Sequence, residues 1–148
     1  MPDRLNLDIG YSVYGEESHG QKGTTIGVDV ESVDTEWQEM SGAEVRKPSF
    51  PEIKGEAQNL PFASDSLDRV TSSNTIGFYV PFDEGIPEMV RVLRPGGTAM
   101  LIIDFDNVEG GRQALRSLLN SLPLENIRIR KNNEYDEYNH RVTFRKRR

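Results

Sequence analysis

The fold expected for this chain is decided by two blocks of its sequence, GEAQNLPFASDSLDRV at residues 55–70 and EMVRVLRPGG at residues 88–97. The first block runs into an apolar and β-branched stretch that predicts a strand over residues 67–73. From Ile86 to Leu93, apolar residues recur at i, i+3, i+4 and i+7, which predicts a helix that the Pro-Gly-Gly run terminates. A strand followed by a helix is typical of α/β proteins.

Further strands and a second helix are predicted around these blocks. Leucines at helical spacing predict a helix over residues 115–122, and residues 33–47 allow at most a short helix. The uninterrupted apolar run at residues 99–103 favours a central parallel strand buried on both faces. Short apolar or β-branched runs predict the other strands, over residues 5–9, 24–30 and 52–56.

The last part of the chain alternates apolar with polar side chains. Ile127 and Ile129 alternate with arginines, and so do Val142 and Phe144, which predicts two half-exposed strands paired antiparallel at a sheet edge. The expected fold class is therefore α/β: a mostly parallel sheet with a C-terminal antiparallel strand pair, in a single domain over residues 1–148. In such a sheet, ligands bind at the carboxyl ends of the parallel strands.

The composition restricts the chemistry. The 148 residues include no cysteine and two histidines, which excludes disulfides, a thiol nucleophile and cysteine-based metal sites, and argues against a histidine-based one. Asp104 and Asp106 are spaced to share a Mg²⁺ ion, but acidic pairs are common in such loops, and we expect no metal site. The chain has no run of about 18 apolar residues and no secretory leader, so we expect a soluble, cytoplasmic protein with no membrane partner.

The charge is unevenly distributed along the chain. Residues 128–148 carry eight Lys or Arg against three Asp or Glu, whereas residues 1–127 carry ten against twenty-one. An acidic body disfavours broad contact with phosphate backbones, so we do not expect nucleic acid as the partner. The basic end, with Tyr135 and Tyr138 nearby, leaves an RNA-associated function as a minor alternative. The simpler interpretation is a solvated terminus whose last four residues are dispensable for stability, unlike Phe144.

The two quoted blocks resemble the core of class I S-adenosylmethionine (SAM)-dependent methyltransferases. In that family, sequence motifs such as GDAENLPF, SFDVV and E..RVLKPGG extend from the third to the fifth strand with the same spacing. LDIG at residues 7–10 is similar to the family's first-strand signature, and GVD at residues 27–29 to its acidic second-strand end. The resemblance covers residues 5–106 and implies a Rossmann-like methyltransferase sheet with SAM as the cofactor.

On the nucleoside side of SAM, the resemblance implies contacts from three residues. Asp29 would accept hydrogen bonds from both ribose hydroxyls, because a carboxylate offers two acceptor oxygens. Glu56 would lie near the adenine amino group, and the backbone amide of Ala57 beside the ring. The alternative for the two acids is an exposed side chain at a strand end.

The methionine side departs from the family pattern. Asp8 and Gly10 match the start of the family's Asp-x-Gly-x-Gly-x-Gly loop, whereas Ser12 and Tyr14 replace its other glycines. Their side chains occupy space that the cofactor would need, and the loop is so short that the first helix is missing or reduced. Asn74 would lie where the methyl group meets the acceptor, although turn formation also explains an asparagine there.

Two functions from different classes therefore stay open. One is a SAM-dependent methyltransferase of an unidentified or small-molecule acceptor, with weakened or lost SAM affinity and no identifiable catalytic residue, because alignment carries most of the catalysis. The other is an inactive methyltransferase-fold subunit that does not use SAM. Without its first helix, the sheet would expose apolar side chains, so we expect residues 11–23, a homodimer or a protein partner to cover that face.

Overall fold

A computed structural model describes residues 4–9, 24–29, 52–73, 75–77, 80–104, 110–131 and 139–148. Every strand and both long helices that the sequence predicted are confirmed, although β3 is shorter and β5 is longer than expected. The short helix expected within residues 33–47, and the question of the first helix, lie outside the described residues. The described elements are β1 Leu5–Ile9, β2 Thr24–Asp29, β3 Glu52–Lys54, β4 Leu67–Ser73, α1 Phe82–Val92, β5 Leu93–Asp104, α2 Gly111–Ser121, β6 Leu124–Lys131 and β7 Asn139–Lys146.

The strands form one mixed sheet in the order β3-β2-β1-β4-β5-β7-β6. The first five are parallel to one another, and β7 is antiparallel to both of its neighbours. The predicted α/β class and the C-terminal antiparallel pair at the sheet edge are thus confirmed. Because β1 pairs with β2 on one side and with β4 on the other, the direction in which strands are added reverses between β1 and β4.

The hydrophobic core lies between one face of the sheet and the two helices. Alternate residues of each strand point to this face, as the period of two requires. The helices contribute residues at helical spacing, which explains why the spacing in the sequence identified them. The largest fully buried core side chains are Leu7, Ile9, Leu67, Ile76, Ile86, Met89, Leu93, Leu101, Ile103, Leu115, Leu119 and Leu124. Neither described helix has the length and apolarity that crossing a membrane would need.

The opposite face of the sheet is polar along β1 and β4. It carries Asn6 and Asp8 from β1, Arg69 and Thr71 from β4, and Thr98 from β5, as the strand register places them together. The expectation that the first strand exposes apolar side chains on this face is therefore wrong, although Met100 and Ile102 of β5 lie on the same face. Side chains alternate between the two faces along a strand, so the leucines of β1 lie on one face and its polar residues lie on the other.

The expectation that residues 99–103 of β5 are buried on both faces is confirmed except at Met100. Leu101 and Ile103 are buried on the helix side, and Ile102 is buried on the other side. Met100, however, is half-buried, and Thr98, which precedes the apolar run, is exposed. An apolar run cannot distinguish full from partial coverage, because coverage depends on what packs on each face.

Helix α1 begins before the periodic run that predicted it. Pro87 consequently lies inside the helix rather than in its first turn. Gly85 allows a close approach to the core, since a Cβ there would lie 3.0 Å from side-chain carbons of Ile76. The Pro-Gly-Gly run leads directly into β5, and a Cβ on Gly97 would lie 2.9 Å from the carbonyl oxygen of Arg94, which explains the glycine at that position.

The C-terminal end of β7 is bound to the rest of the protein. The Nζ atom of Lys146 donates hydrogen bonds to Asp65 Oδ1 at 2.6 Å and to the carbonyl oxygen of Leu93 at 2.9 Å. The Lys146 side chain is only 14% exposed. The backbone amide of Arg147 also donates to the carbonyl of Pro123 at 2.9 Å. These contacts argue against the expectation that residues 145–148 are dispensable for stability, whereas the expected burial of Phe144 is confirmed.

We therefore expect Lys146→Met to lower the free energy of unfolding by about 1 to 3 kcal/mol, because charge-assisted hydrogen bonds are lost and a backbone carbonyl loses its partner. Urea denaturation measures the change. Arg147→Met is the matched control, since this neighbouring basic side chain is exposed. Equal effects of the two substitutions would contradict the assignment of this role to Lys146.

Candidate functional site

The candidate site lies at the carboxyl ends of the central parallel strands. Ile9, the last residue of β1, is in register with Val28 of β2 and with Ser72 of β4, so these three strand ends lie side by side. The strand order reverses between β1 and β4. In open α/β sheets, a crevice forms outside the strand ends at such a reversal, and ligands bind there.

Two acidic residues predicted to bind the nucleoside lie at neighbouring strand ends. Asp29 ends β2 and is in register with Lys54, the last residue of β3. Glu56 follows Lys54 by two residues and is exposed, whereas Ala57 is buried with 4% of its surface accessible. The fold thus brings Asp29, Glu56 and Ala57 to one edge of the sheet. Carboxylates at two adjacent strand ends would suit the hydroxyls and the amino group of a nucleoside, and contact of these residues with the nucleoside half of SAM stays a prediction.

The segment that carries Glu56 is a tight turn anchored in the core. The backbone amide of Asn59 donates to the carbonyl oxygen of Glu56 at 3.0 Å. Ala57, within the turn, and Leu60, which follows it, are both buried. The turn therefore fixes the backbone while it leaves the Glu56 carboxylate accessible.

Two charged residues of helix α1 hold the backbone that follows this turn. The carboxylate of Glu88 accepts a hydrogen bond from the Leu60 amide at 2.8 Å. The guanidinium of Arg91 donates to the carbonyl oxygens of Leu60 at 3.0 Å and Phe62 at 2.9 Å. Arg91 Nε and Glu88 Oε1 are 2.6 Å apart. We call this Glu88–Arg91 pair and its backbone partners the helix clamp.

The helix clamp is charged at neutral pH. The hydrogen bond from Arg91 is the main cause that lowers the pKa of Glu88 below its ordinary value of 4.5, and the Leu60 amide adds to it, while burial acts against it. The same bond raises the pKa of Arg91. The clamp joins the two sequence blocks that carry the family resemblance. Sequence reasoning missed it, although a Glu and an Arg three residues apart on one helix were a visible signal.

Asp8 lies within the sheet rather than at its edge. It is 2% exposed, and its Oδ1 accepts a hydrogen bond from Thr71 Oγ1 at 3.0 Å. Asp8 and Thr71 are register partners on β1 and β4, so this bond ties together the two strands between which the order reverses. Its contact with a cofactor stays a prediction, and so does every other implied cofactor contact. Gly10 and Asn74, like the carboxylates of Asp29, Asp104 and Asp106, lie outside the part that the structure describes.

A family model described as "Methyltransferase domain" matches residues 7–101. Among curated proteins, the chain is 41% identical over 79 residues to a demethylmenaquinone methyltransferase of Beutenbergia cavernae, covering 53% of this chain and 32% of that protein. It is 30% identical over 109 residues to a demethylmenaquinone methyltransferase of Paenarthrobacter aurescens, covering 71% and 43%. It is 31% identical over 103 residues to the chloroplastic 2-methyl-6-phytyl-1,4-hydroquinone methyltransferase of Arabidopsis thaliana, covering 68% and 30%.

Solved structures share the fold at low sequence identity. One is a methyltransferase from Haloferax volcanii in complex with the Trm112 methyltransferase activator, with a TM-score of 0.71, 14% identity and coverage of 99% of this chain and 84% of that one. Another is a SAM-dependent methyltransferase from Thermotoga maritima, with a TM-score of 0.66, 18% identity and coverage of 99% and 84%. The chain spans less than half the length of the curated relatives it matches.

Proposed function

This chain belongs to the methyltransferase-domain family of class I SAM-dependent methyltransferases, and we propose that it transfers a methyl group from SAM to a hydroquinone-type acceptor. The observation that carries the cofactor is the placement of Asp29, Glu56 and Ala57 at adjacent strand ends beside the reversal of strand order. The names of the curated relatives, which act on demethylmenaquinone or a phytyl hydroquinone, support the acceptor class.

In this proposal, the protein's contribution is to bind and align. SAM, when bound, supplies an electrophilic methyl group. This methyl group would pass to an oxygen or carbon nucleophile of the acceptor, which would lose a proton, and S-adenosylhomocysteine would be the other product. Asp29 holds the ribose and the turn at residues 56–59 holds the adenine. Alignment of this kind can account for a large part of the rate.

The altered first loop gives this proposal a quantitative expectation. Ser12 and Tyr14 replace two of the family's glycines, and the predicted loss of a helix amino terminus that would favour the SAM carboxylate would bring the loss to two or three hydrogen bonds. We expect SAM affinity to be weaker by roughly one to three powers of ten than that of a relative with an intact loop. SAM and adenosine should then bind with similar affinity, which isothermal titration calorimetry measures directly. SAM binding at low micromolar concentration, and much tighter than adenosine, would show that the loop contacts SAM by another geometry.

An inactive partner subunit is the second candidate function. The replaced glycines motivate it, and the Haloferax volcanii neighbour was solved bound to an activator protein. Titration calorimetry with SAM separates the two candidates, because a methyltransferase binds SAM, even weakly, and a subunit that does not use SAM shows no binding. Transfer of a labelled methyl group from SAM to a short-chain hydroquinone tests the activity itself.

The single domain over residues 1–148 and the cytoplasmic location stay predictions.

A further inference from the structure

Five arginines lie together on the sheet face that points away from both helices. Arg145 is in register with Thr98, which is itself in register with Arg69. The register of the antiparallel pair places the others on the same face, two residues apart on β6 and four residues apart on β7. We call this set the arginine face, and it consists of Arg69 on β4, Arg128 and Arg130 on β6, and Arg141 and Arg145 on β7.

Electrostatic repulsion between neighbouring arginines of this face destabilises the fold. Arg130 and Arg141 are direct register partners on β6 and β7, and like charges directly opposite each other destabilise a strand pair. Both are exposed. The positive charge of Arg141 also contributes, after burial, to lowering the pKa of Arg69, and Arg4 adds to the same effect.

Compensating groups are few among the described residues. Among the described residues, the five arginines make one ion pair, in which Arg145 Nη1 lies 4.0 Å from Glu125 Oε1. The Nε atom of Arg69 is buried and has no hydrogen-bond partner there. A protein with a net charge of −6 thus concentrates positive charge on one flat area. A cluster of like charges that does not stabilise the fold indicates a ligand-binding surface.

Protection against edge-to-edge aggregation explains only part of this face. Charged side chains are common on edge strands, which accounts for Arg128 and Arg130 on the edge strand β6. Arg141 and Arg145 lie on β7 and Arg69 lies on β4, and these strands have neighbours on both sides. The positive charge therefore extends over the face of the sheet rather than along its edge.

We propose that the arginine face docks on the anionic phospholipid surface of a membrane. This inference rests on the proposed function, because a hydroquinone that carries an isoprenoid chain is found in a bilayer. Neighbouring strands are about 4.8 Å apart and every second residue about 6.8 Å, so the arginines extend from closely spaced positions on one face. Guanidinium groups bind phosphates through paired hydrogen bonds. The described part of this face has none of the aromatic side chains on which single-stranded nucleic acids stack.

The expectation of no membrane partner came from composition, which averages charge over the whole chain. Strand register instead brings arginines from β4, β6 and β7 to one face, where they outnumber Glu125 and the buried Asp8, and a membrane surface attracts the local charge within a Debye length. Docking of this kind is contact with lipid headgroups, and it requires no membrane-spanning helix.

Cosedimentation of the full chain with lipid vesicles tests the proposal. One vesicle contains phosphatidylcholine alone, and the other contains equal parts of phosphatidylcholine and phosphatidylglycerol. We expect binding to the second only, weakened by added salt. Arg130→Gln/Arg141→Gln should reduce this binding roughly twentyfold, since each basic residue at an anionic surface contributes about fivefold. Arg112→Gln/Arg116→Gln removes the same charge from exposed positions of helix α2, on the other side of the sheet, and should bind nearly as the wild type does.

The charge-conserving variant Arg130→Lys/Arg141→Lys should keep most of the binding, which guards against a loss caused by misfolding. Equal weakening by the two glutamine variants, or no preference for anionic vesicles, would overturn the proposal. Tighter binding to a double-stranded RNA oligomer than to vesicles would also overturn it, in favour of a nucleic-acid partner. Adenosine titration separates the hypotheses: adenosine binding without vesicle binding rejects this inference alone, and vesicle binding without adenosine binding rejects the proposed function alone.

Discussion

Replacing Glu88 with alanine is expected to weaken adenosine binding about tenfold and to lower the free energy of unfolding by about 1 to 3 kcal/mol. The substitution leaves the buried Leu60 amide without its acceptor and Arg91 without its carboxylate partner. The backbone at residues 56–62 then loses the contacts that hold the proposed adenine site. Calorimetry measures the affinity, and urea denaturation measures the stability.

Glu84→Ala is the matched control, because Glu84 is an exposed acid on the same helix. Inosine provides a readout that a stability change alone would not move, since it lacks the amino group that Glu56 is proposed to recognise. Wild-type protein should prefer adenosine to inosine, and Glu88→Ala should reduce that preference. If stability falls while both the affinity and the preference stay unchanged, the helix clamp does not position the nucleoside site.

The clamp also has a pH signature. The pKa of Glu88 in the folded protein is lowered below its ordinary value of 4.5, so the ionised carboxylate stabilises the fold above that value, and the contribution is lost as the pH falls through the lowered pKa. The stability difference between wild type and Glu88→Ala should therefore shrink with acidification through this range. A difference that stays constant would show that the charge of Glu88 does not contribute.

Asp29→Ala is expected to weaken adenosine and SAM binding more than a hundredfold, on the order of 3 kcal/mol or more, because it removes the acceptor for both ribose hydroxyls. The motivating observation is the position of Asp29 at the end of β2, beside the strand that leads to Glu56. Asp29→Asn, which keeps one acceptor oxygen, should give an intermediate loss. Titration calorimetry of the three proteins with adenosine gives the comparison.

Asp83→Ala provides the control for removal of an exposed aspartate from helix α1, and it should leave the affinity unchanged. Unaltered adenosine binding by Asp29→Ala would place the nucleoside elsewhere. It would also show that the family role assigned to Asp29 does not apply to this chain.

The proposed reaction and the proposed membrane contact involve different parts of the sheet. The nucleoside side lies at the carboxyl ends of β2 and β3, whereas the arginine face extends over β4, β7 and β6. Substitutions of the arginines should therefore leave adenosine binding intact. This separation lets the two proposals be tested in one purified protein.

The sequence by itself determined the elements and their order. Helical spacing identified α1 and α2, and alternation identified β6 and β7, because these periods follow from local backbone geometry and a single buried face. The family motifs also pointed to Asp29 and Glu56, which the fold does bring to neighbouring strand ends. Even at this level, the pattern underestimated α1 and β5, since element ends depend on contacts with the rest of the chain.

Only the tertiary structure decided which distant residues meet. The Glu88–Leu60 bond joins residues 28 apart in sequence, and the Lys146–Asp65 bond joins residues 81 apart. The arginine face requires both the strand order and the register of β4, β5, β7 and β6. A shift of one residue in register would turn each arginine of a strand to the opposite face. Local patterns carry no information about register between strands that are distant along the chain. The helix clamp, the Lys146 contacts and the arginine face could therefore be identified only from the packed sheet.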